Sequence, residues 1–470
     1  MTKINDGRVL ISIDHGMITN LSGYATRNVP RYTSYPTAPH FGGDVTETDY
    51  AAWLAALDPG ARLSVYLHVP YCRSICHYCG CHTKAVLRPQ PVADYAKTLR
   101  DEIGLAAGYL DIGGPEGGRP VVHLHWGGGT PSLLSPRDFK AIVATLRDRF
   151  DVLAGAEHAI ELDPRTVTPE LVETLAATGV NRASLGVQDF NAAVQAAIGR
   201  IQPFELVARV VGDLRAAGIG AINMDLMYGL PHQAGADVER TVDLTAELRP
   251  ARIALFGYAH VPWMKTHQRL IDAAALPGAT ERLEQADVAA NRLITHGYVR
   301  VGIDHFALPD DPLAIACGNG TLRRNFQGYT TDPADALIGF GVSSIGKLPQ
   351  GYVQNAPDIG GWRRAIQTGC LPVVRGKALS ADDNARAEII ERLMCDFEVD
   401  ADAVLARHGL DPDGLADSHA ALEPLIADGL AERQDSVIRV PAPMRAFVRL
   451  AASAFDAYLP GGAARHSVAV

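Results

Sequence analysis

The chain has 470 residues, a formal net charge of −10 and a pI near 5.9. The length predicts a large catalytic domain with a smaller domain appended, and the acidic balance argues against a general nucleic-acid binder. No apolar run approaches the roughly 20 residues that a membrane span needs, and residues 1–20 lack the apolar core of a secretory signal, so we expect a soluble, cytoplasmic protein that binds neither nucleic acid nor membrane.

The first 60 residues are expected to form an N-terminal arm. They show little periodicity before about residue 47, and the segment VPRYTSYPTAPHF, which begins at Val29, is rich in aromatic residues, proline and threonine. Proline restricts the backbone to extended conformations, and buried aromatic side chains supply large apolar contacts. The composition therefore predicts an ordered, extended arm over residues 1–60.

From about residue 62 short apolar runs alternate with amphipathic helical stretches, which is typical of βα units around a parallel sheet. The predicted strands are Leu63–Val69, Val121–Trp126, Ala159–Leu162, Arg182–Val187, Ala221–Met227 and Ile253–Tyr258. The predicted helices between them lie near residues 92–108, 137–149, 168–178, 203–217 and 236–248. Six such units predict an α/β fold with a partial (β/α)6 barrel, and residues 61–375 are taken as the catalytic domain.

Four cysteines, at positions 72, 76, 79 and 81, crowd into ten residues directly after the first predicted strand. A disulfide framework is disfavoured because the chain has seven cysteines in all, a sparse and odd number. Structural zinc prefers paired ligands separated by a longer loop. Gaps of three and two favour a [4Fe-4S] cluster held by Cys72, Cys76 and Cys79, with one iron left open, although zinc or chance remains an alternative. Cys81 is too close to Cys79 to ligate the same cluster comfortably and is otherwise a spare reduced thiol.

Polar residues recur at the carboxyl ends of the predicted strands, which form the catalytic face of such barrels. The glycine-rich segment 127–131 allows a ligand to approach the backbone, so its amides could engage the amino acid part of a ligand. Glu161 and Asp225 are carboxylates in apolar strands, where a charge needs a partner. That partner is either a ribose diol or amino group of a ligand, or an arginine such as Arg165 or Arg182.

Arg200 follows the short helical stretch NAAVQAAIGR. A guanidinium at this position can stabilise the carboxyl end of the helix through the helix dipole. Its planar fork can instead hold a carboxylate. The sequence leaves both roles open.

Residues 376–470 are expected to form a smaller, mainly helical domain. Helices are predicted at 383–397 and 417–428, followed by a hairpin in LAERQDSVIRV and a terminal helix around 442–458. Helices followed by a β-wing resemble a winged-helix module. Residues 381–470, however, carry 16 Asp and Glu against 8 Arg and Lys, so DNA phosphate would be repelled, and a structural or substrate-covering role is favoured.

The spacing C-x-x-x-C-x-x-C resembles the signature of the radical S-adenosylmethionine superfamily, in which the open iron binds the methionine group. Several strings resemble one of its families, the oxygen-independent coproporphyrinogen III oxidases. These strings are VPRYTSYPTA at 29–38, YLHVPYCRSICHYCGCHT at 66–83, LHWGGGTPS at 124–132, LGVQDFN at 185–191, NMDLMYGLP at 223–231, YAHVP at 258–262, IDHFALPDD at 303–311 and NFQGYTT at 325–331. The resemblance includes the fourth cysteine, Cys81.

The resemblance implies a site that binds two molecules of S-adenosylmethionine beside the cluster. Positions matching the ligands of the first molecule are Tyr66, Gly128 and Glu161. Positions matching those of the second molecule are Tyr78, Gly129, Thr130, Gln188, Arg200, Asp225, Ala259 and Ile345. Position 78 is tyrosine where the family often has phenylalanine. Cys81, Arg31 and Gln327 fall in matching strings and are assigned to catalysis: Arg31 and Gln327 are expected to face the substrate or a bound cofactor, whereas the sequence does not give the physical role of Cys81.

The implied reaction is the oxidative decarboxylation of two propionate side chains of coproporphyrinogen III to vinyl groups, giving protoporphyrinogen IX. The family also implies an external electron donor, such as a flavodoxin or ferredoxin system, and a monomer. The alternative is a haem-handling relative, either a haem chaperone or a radical methyltransferase that opens the haem ring. Cys81 and the arm at 29–38 favour the oxidase.

Overall fold

The computed structural model describes residue 21, residues 23–110 and residues 118–459. In chain order the strands are β1 (Leu63–Val69), β2 (Tyr71–Cys72), β3 (Lys84–Ala85), β4 (Pro120–Gly128), β5 (Asp151–Leu162), β6 (Arg182–Gln188), β7 (Ala221–Tyr228), β8 (Arg252–Gly257), β9 (Val299–Val301), β10 (His305–Ala307), β11 (Arg323–Asn325), β12 (Gly328–Thr330), β13 (Ala336–Phe340), β14 (Ile345–Leu348), β15 (Gly351–Asn355), β16 (Val373–Ala378), β17 (Glu398–Asp400), β18 (Glu432–Gln434) and β19 (Val437–Arg439). The helices are α1 (Glu47–Ala55), α2 (Gln90–Tyr109), α3 (Pro136–Arg149), α4 (Pro169–Ala177), α5 (Ala192–Ala197), α6 (Phe204–Ala216), α7 (Gly235–Glu247), α8 (Ala279–Thr295), α9 (Pro312–Gly318), α10 (Ile359–Gln367), α11 (Ala381–Asp396), α12 (Ala401–Arg407), α13 (Ala416–Ala427) and α14 (Val448–Ser453).

A curved parallel sheet forms the centre of the molecule. Strands β1, β4, β5, β6, β7 and β8 pair in that order and all run parallel. They coincide with the six predicted strands, and α2, α3, α4, α6 and α7 connect them as crossovers. The predicted α/β fold with a partial (β/α)6 barrel is confirmed.

The sheet extends beyond these six strands on both sides. On one side β13 pairs parallel to β1, and β14, β15 and β16 continue it as antiparallel strands. On the other side β10 and β9 add antiparallel strands next to β8. The complete sheet therefore has twelve strands. Sequence analysis did not include these flanking strands, because runs of three to six residues carry too little periodicity to be recognised.

The crossover helices bury one apolar face against the sheet, as α3 illustrates. Its first turn is stabilised by Ser135, whose side chain accepts a hydrogen bond from the amide of Asp138, and by proline at position 136. Phe139, Ile142, Val143 and Leu146, spaced by three and four residues, are all buried. The Phe139 ring packs on Trp126 of β4 with 4.4 Å between centroids. Each such side chain contributes roughly 1.5–3 kcal/mol by leaving water.

The carboxyl-terminal part of the chain forms a second apolar core. The predicted helices correspond to α11 and α13, and the predicted hairpin to β18 and β19, which pair in a three-stranded sheet with β17. The predicted terminal helix at 442–458 was wrong in its extent: Ala442–Phe447 is a 3-10 helix, and only α14 is α-helical. The segment closes with 3-10 hydrogen bonds instead, from the Met444 amide to the Pro441 carbonyl and from the Val448 amide to the Arg445 carbonyl.

The first half of the described arm packs against this second core, whereas Val45, Tyr50, Leu54 and Leu57 in its second half join the core of the barrel. Tyr24, Val29, Tyr32 and Tyr35 are buried with apolar residues of α11 and α14. The Tyr32 hydroxyl donates to Asp456 at 3.0 Å. Residues 24–35 and the carboxyl-terminal helices thus share one core, while the domain boundaries at 60 and 375 stay a prediction. No helix in the described part of the chain combines the length and apolar character that a membrane span needs.

Candidate active site

The four-cysteine loop leaves the carboxyl end of β1 and is anchored through its backbone. The amide of His77 donates to the Ile198 carbonyl at 2.9 Å, which fixes one side of the loop to the segment after β6. The side chains of His267 and Gln268 bond the carbonyl groups of residues 79 and 78 at 2.7 and 2.9 Å. The loop is therefore held by the segments that follow β6 and β8, two strands with β7 between them.

Donors surround the thiols of the three predicted cluster ligands. Arg165 and Arg200 each place a guanidinium nitrogen 3.5 Å from the sulfur of Cys76. The sulfur of Cys72 lies 3.2 Å from the hydroxyl of Thr83 and 3.3 Å from that of Thr130. The pKa of Cys72 is nevertheless raised, because burial outweighs the hydrogen bonds of the two threonines.

Cys79 and Cys81 interact with each other. The amide of Cys81 donates to the sulfur of Cys79 at 3.4 Å. A side-chain hydrogen bond from Cys81 is the main reason why the pKa of Cys79 is lowered to about 6, and the same contact raises the pKa of Cys81. The structure therefore favours a thiolate at Cys79 and a thiol at Cys81.

These thiols line a cavity of about 570 Å³ at the carboxyl ends of the strands, which we call the thiol cavity. It brings together most of the residues that sequence analysis assigned to the site. They are Arg31, Cys72, Cys76, Tyr78, Cys79, Cys81, Gly128, Gly129, Thr130, Glu161, Gln188, Arg200, Asp225 and Ala259. The volume lies within the range of small-molecule sites.

Three predicted residues lie outside the thiol cavity. Tyr66 of β1 has its hydroxyl 3.0 Å from Nδ1 of His68. Ile345 begins β14. Gln327 lines two other cavities, described below. The assignment of Tyr66 and Ile345 to a ligand stays a prediction.

The two strand carboxylates do not pair with the arginines that sequence analysis offered as an alternative. Glu161 is bound by Nε2 of His125 at 3.2 Å and by the amide of Gly128 at 3.3 Å. Although burial raises the pKa of Glu161, the hydrogen bond and charge of His125 outweigh it and lower the pKa below its ordinary value. Glu161 therefore carries a negative charge inside the cavity.

Asp225 has a different environment. Its oxygens accept hydrogen bonds from Ser184 at 3.2 Å and Asn223 at 3.0 Å, which are neutral donors. Burial, followed by repulsion from Glu161, raises the pKa of Asp225 to about 7. A cationic or hydroxyl-bearing ligand would relieve this buried charge.

Arg165 and Arg200 share Asp163. Arg165 forms a 2.6 Å ion pair with Asp163, and Nη2 of Arg200 lies 3.3 Å from the same carboxylate. Arg200 also donates to the Gly186 carbonyl at 2.7 Å. Of its two predicted roles, capping α5 is not observed, because the side chain points toward Cys76 instead.

The glycine-rich segment allows two chain segments to approach each other closely. A Cβ at Gly129 would lie 2.6 Å from the Tyr71 carbonyl oxygen, and Gly128 has a φ of +107°, which other residues rarely adopt. Sequence analysis expected these amides to face a ligand. In the structure the amides of Gly128, Gly129 and Thr130 are bonded within the protein, to Glu161, Val69 and Tyr71. The segment thus shapes the cavity wall through close packing.

The residues present fit an iron–sulfur cluster. Three thiols line one cavity with arginine and threonine donors directed at two of the sulfurs. Within the described ranges, no group of three or more His, Cys, Asp or Glu side chains is arranged to hold a single metal ion.

A second cavity of about 500 Å³ adjoins the thiol cavity, and we call it the arginine chamber. The two cavities share Arg31, Cys81 and the segment 256–259. The three residues that the sequence assigned to catalysis, Arg31, Cys81 and Gln327, all line the chamber. It missed four further arginines that line it, namely Arg282, Arg300, Arg324 and Arg449. No sequence signal distinguishes them, because they come from four separated elements.

A third, smaller cavity of about 160 Å³ lies within the barrel and touches both of the others. It is lined by Glu161 and Asp225 of the thiol cavity and by His305 and Gln327 of the arginine chamber. His123 in its wall lies 3.1 Å from Glu157 and 3.3 Å from Asp332. A polar network therefore forms a common floor beneath the two larger cavities.

The parallel barrel and the three-cysteine loop define a radical S-adenosylmethionine enzyme. Residues 66–245 match the family described as the Radical SAM superfamily, and this class implies a [4Fe-4S] cluster and S-adenosylmethionine. Residues 379–443 match the HemN C-terminal domain.

Comparison with individual proteins narrows the class. The chain is 50% identical to the oxygen-independent coproporphyrinogen III oxidase of Bradyrhizobium diazoefficiens, over 95% of this chain and 98% of the relative. It is 42% identical to the enzyme of the same name from Paracoccus denitrificans, over 95% and 98%. The solved structure of coproporphyrinogen III oxidase (HemN) from Escherichia coli matches with a TM-score of 0.86 and 37% identity, over 91% of this chain and 97% of that one. The chain belongs to the family of oxygen-independent coproporphyrinogen III oxidases, and the haem-handling alternative finds no support among these relatives.

Proposed function

We propose that this chain decarboxylates two propionate side chains of coproporphyrinogen III to vinyl groups and so produces protoporphyrinogen IX without oxygen. Beyond family membership, one structural observation supports the proposal. The thiol cavity adjoins a second cavity rich in arginines, and Arg31 and Cys81 line both. A substrate with several carboxylates can therefore lie in the second cavity with one edge toward the first.

The chemistry explains why a radical is needed. The propionate C–H bond that must break is unactivated, so a base cannot remove its proton. When bound, the cluster and S-adenosylmethionine supply an adenosyl radical that takes this hydrogen as an atom. The carboxylate then leaves as carbon dioxide, the vinyl double bond forms, and one electron per propionate passes to an acceptor. The chain's own residues position the carboxylates and exclude water.

The thiol cavity supports the binding of two S-adenosylmethionine molecules. Glu161, with Tyr66 and Gly128, is assigned to the first molecule, whereas Asp225, with Gln188 and the remaining predicted ligands, is assigned to the second. The two carboxylates have separate partners, His125 for Glu161 and Ser184 with Asn223 for Asp225. Two separately held carboxylates in one cavity suit two ligands that each carry an ammonium group and a ribose diol.

The external electron donor is proposed to be an acidic protein such as a flavodoxin or ferredoxin. Residues 70–93, which contain the cysteine loop, carry Arg73, Lys84 and Arg88 and no Asp or Glu, although the whole chain has a net charge of −10. All three basic side chains are exposed. Charge reversal at Arg73 and Arg88 is expected to slow reduction by flavodoxin but not by dithionite, because only the protein donor needs the basic surface.

We further infer that the protein acts as a cytoplasmic monomer. The sparse, unpaired cysteines suit a reducing compartment. Size-exclusion chromatography of the anaerobic protein checks the oligomeric state, and a stable dimer would contradict it.

The test of the function is an anaerobic incubation with coproporphyrinogen III, S-adenosylmethionine and a reductant. We expect protoporphyrinogen IX and 5′-deoxyadenosine, both measured by chromatography. A protein with a full complement of iron that yields neither product would contradict the proposal. If such a protein instead bound haem stoichiometrically, the haem-chaperone alternative would be preferred.

A further inference from the structure

The arginine chamber gathers cationic side chains from distant parts of the chain. Arg31 comes from the arm, Arg282 from α8, Arg300 from β9, Arg324 from β11 and Arg449 from α14. The barrel, the arm and the second core each contribute to it. Such convergence is costly, because like charges repel each other and lose their hydration.

The charges that line the chamber do not balance. Five arginines face two carboxylates, Asp287 and Asp304, which leaves a charge of +3. Asp304 is moreover engaged by His305, whose Nδ1 lies 2.7 Å from Oδ1. Among the described residues, Arg31, Arg282, Arg300 and Arg324 form no ion pair with any carboxylate.

The cost of burying these positive charges together lowers the pKa values of several of the arginines. Burial lowers the pKa of Arg282 and of Arg300 below the ordinary value. Burial and the repulsion of Arg31 lower the pKa of Arg449 to about 10. A dianionic or polyanionic ligand would reverse both effects by neutralising the chamber.

Several donor groups in the chamber are buried without an acceptor. They are Nε of Arg282, Nε of Arg300, Nη1 of Arg324 and Nε2 of Gln327. Buried donors without partners are rare in folded proteins, since each costs free energy until an acceptor arrives. They indicate a ligand that supplies several oxygen acceptors.

Three of the five guanidinium groups are fixed by hydrogen bonds to backbone carbonyl groups. Arg324 donates to the carbonyl groups of Tyr32 at 3.2 Å and Arg31 at 3.2 Å. Arg31 donates to the Gly257 carbonyl at 3.3 Å, and Arg300 to that of Ile303 at 3.1 Å. These bonds hold the guanidinium groups in place before a ligand binds, which reduces the entropic cost of binding.

We propose that the arginine chamber binds the propionate carboxylates of the tetrapyrrole substrate, with Arg282, Arg300 and Arg449 as positioning residues. The inference rests on the proposed function and extends it, because Arg449 makes the carboxyl-terminal part of the chain a component of the substrate site. Carboxylates held deep in the chamber leave the opposite edge of the tetrapyrrole at Arg31 and Cys81, where the chamber adjoins the thiol cavity.

The test measures binding of coproporphyrin III, which carries four carboxylates, and of its tetramethyl ester, which carries none. Both are titrated by fluorescence into the anaerobic holoenzyme. Arg282→Gln and Arg300→Gln should each raise the Kd of the tetra-acid about ten-fold or more, since each removes a charge-assisted interaction. Binding of the ester should not change between the variants and the original chain.

Three controls separate positioning from folding. Arg240→Gln changes an exposed arginine on α7 and should leave both Kd values unchanged. Arg282→Lys and Arg300→Lys retain the charge and should recover part of the affinity. Iron content and S-adenosylmethionine binding should stay at the original level in every variant, and in turnover KM for coproporphyrinogen III should rise more than kcat falls.

The binding results distinguish a failure of the chamber assignment from a failure of the proposed function. Glutamine variants that bind the tetra-acid as tightly as Arg240→Gln overturn the chamber assignment, as does an equal loss of affinity for acid and ester. In either case the proposed function stands if the original chain still forms protoporphyrinogen IX. If the original chain neither binds coproporphyrin III nor forms product, the proposed function and the chamber assignment fail together.

Discussion

The thiol cavity and the arginine chamber adjoin each other but differ in how far their charged side chains are paired. In the thiol cavity Asp163 pairs with Arg165 and Arg200, and Glu161 is bound by His125. In the arginine chamber most guanidinium groups form no ion pair within the described part of the chain. A site with internally compensated charges suits a resident cofactor, whereas a site with excess positive charge suits an anionic ligand that comes and goes.

The comparison also suggests why Cys81 differs from its neighbours. Cys72, Cys76 and Cys79 line the thiol cavity only, whereas Cys81 lines both cavities. Its position agrees with a task at the substrate rather than at the cluster.

The largest expected effect is the loss of the cluster. Cys72→Ser, Cys76→Ser or Cys79→Ser should abolish both iron binding and product formation, because each removes one of only three protein ligands. Iron analysis and the visible absorption of the anaerobic protein measure the first effect, and protoporphyrinogen formation measures the second.

Cys81→Ser is the matched control. It should retain most of the iron while activity falls, since Cys81 faces the boundary of the two cavities. Loss of the cluster in this variant would contradict the three-ligand assignment, because Cys81 would then be needed to hold the iron.

The second largest effect is expected on S-adenosylmethionine binding, and it should distinguish the two proposed binding sites within the thiol cavity. Glu161→Gln and Asp225→Asn should each weaken one class of S-adenosylmethionine site about 10- to 100-fold, because each removes a charged partner of the ligand. Equilibrium dialysis should give two molecules per original chain and one per variant at moderate concentration, with unchanged iron content. A stoichiometry of one in the original chain would refute the two-molecule proposal.

The contrast between the cavities explains how much the sequence could predict. The six parallel strands were recognised because each is a run of buried, largely apolar residues, such as Leu63–Val69. Most residues of the thiol cavity lie at the ends of these strands or in the cysteine motif, so their grouping followed from the topology, whereas Arg31 comes from the arm. Residues at the ends of parallel strands meet at one edge of the sheet, so their positions in the sequence were enough to predict that they lie together.

The arginine chamber had no such signal. Its arginines lie on α8, β9, β11, α14 and the arm, and arginine is ordinarily a surface residue. Helix α8 was also not predicted, because its buried positions include Gln285, Ala289 and Ala290, which give weak apolar contrast. Only the tertiary arrangement of the flanking strands and the second core brings these elements together.

A change in the common floor should affect both cavities equally. Burial lowers the pKa of His123, but hydrogen bonds with Asp332 and Glu157 outweigh it and raise the pKa to about 9. A folded-state value above the ordinary 6.5 means that protonated His123 stabilises the fold fully below pH 6.5 and that this contribution is lost as the pH rises through 9. The rise corresponds to at most about 3 kcal/mol.

The measurement is the apparent Tm of the anaerobic holoenzyme between pH 6.5 and 9.5. The original chain should lose more stability over this interval than His123→Gln, whose side chain does not titrate. Parallel pH profiles for the two proteins would show that the His123 network does not stabilise the floor. At pH 7 the variant should weaken S-adenosylmethionine and coproporphyrin III binding to a similar degree.

The smallest expected effect concerns the arm, whose Arg31 lies where the arginine chamber adjoins the thiol cavity. Tyr32→Phe removes the hydrogen bond from the arm to Asp456, worth about 1 kcal/mol, and should loosen the arm that carries Arg31 relative to the core that carries Arg449. KM for coproporphyrinogen III should rise a few-fold, while iron content and S-adenosylmethionine binding stay unchanged, because none of the residues assigned to S-adenosylmethionine lies on the arm. Thr26→Ala, an exposed change elsewhere in the arm, should have no effect on KM. An equal weakening of S-adenosylmethionine binding in Tyr32→Phe would mean that the two cavities respond as one site and that the division between them is wrong.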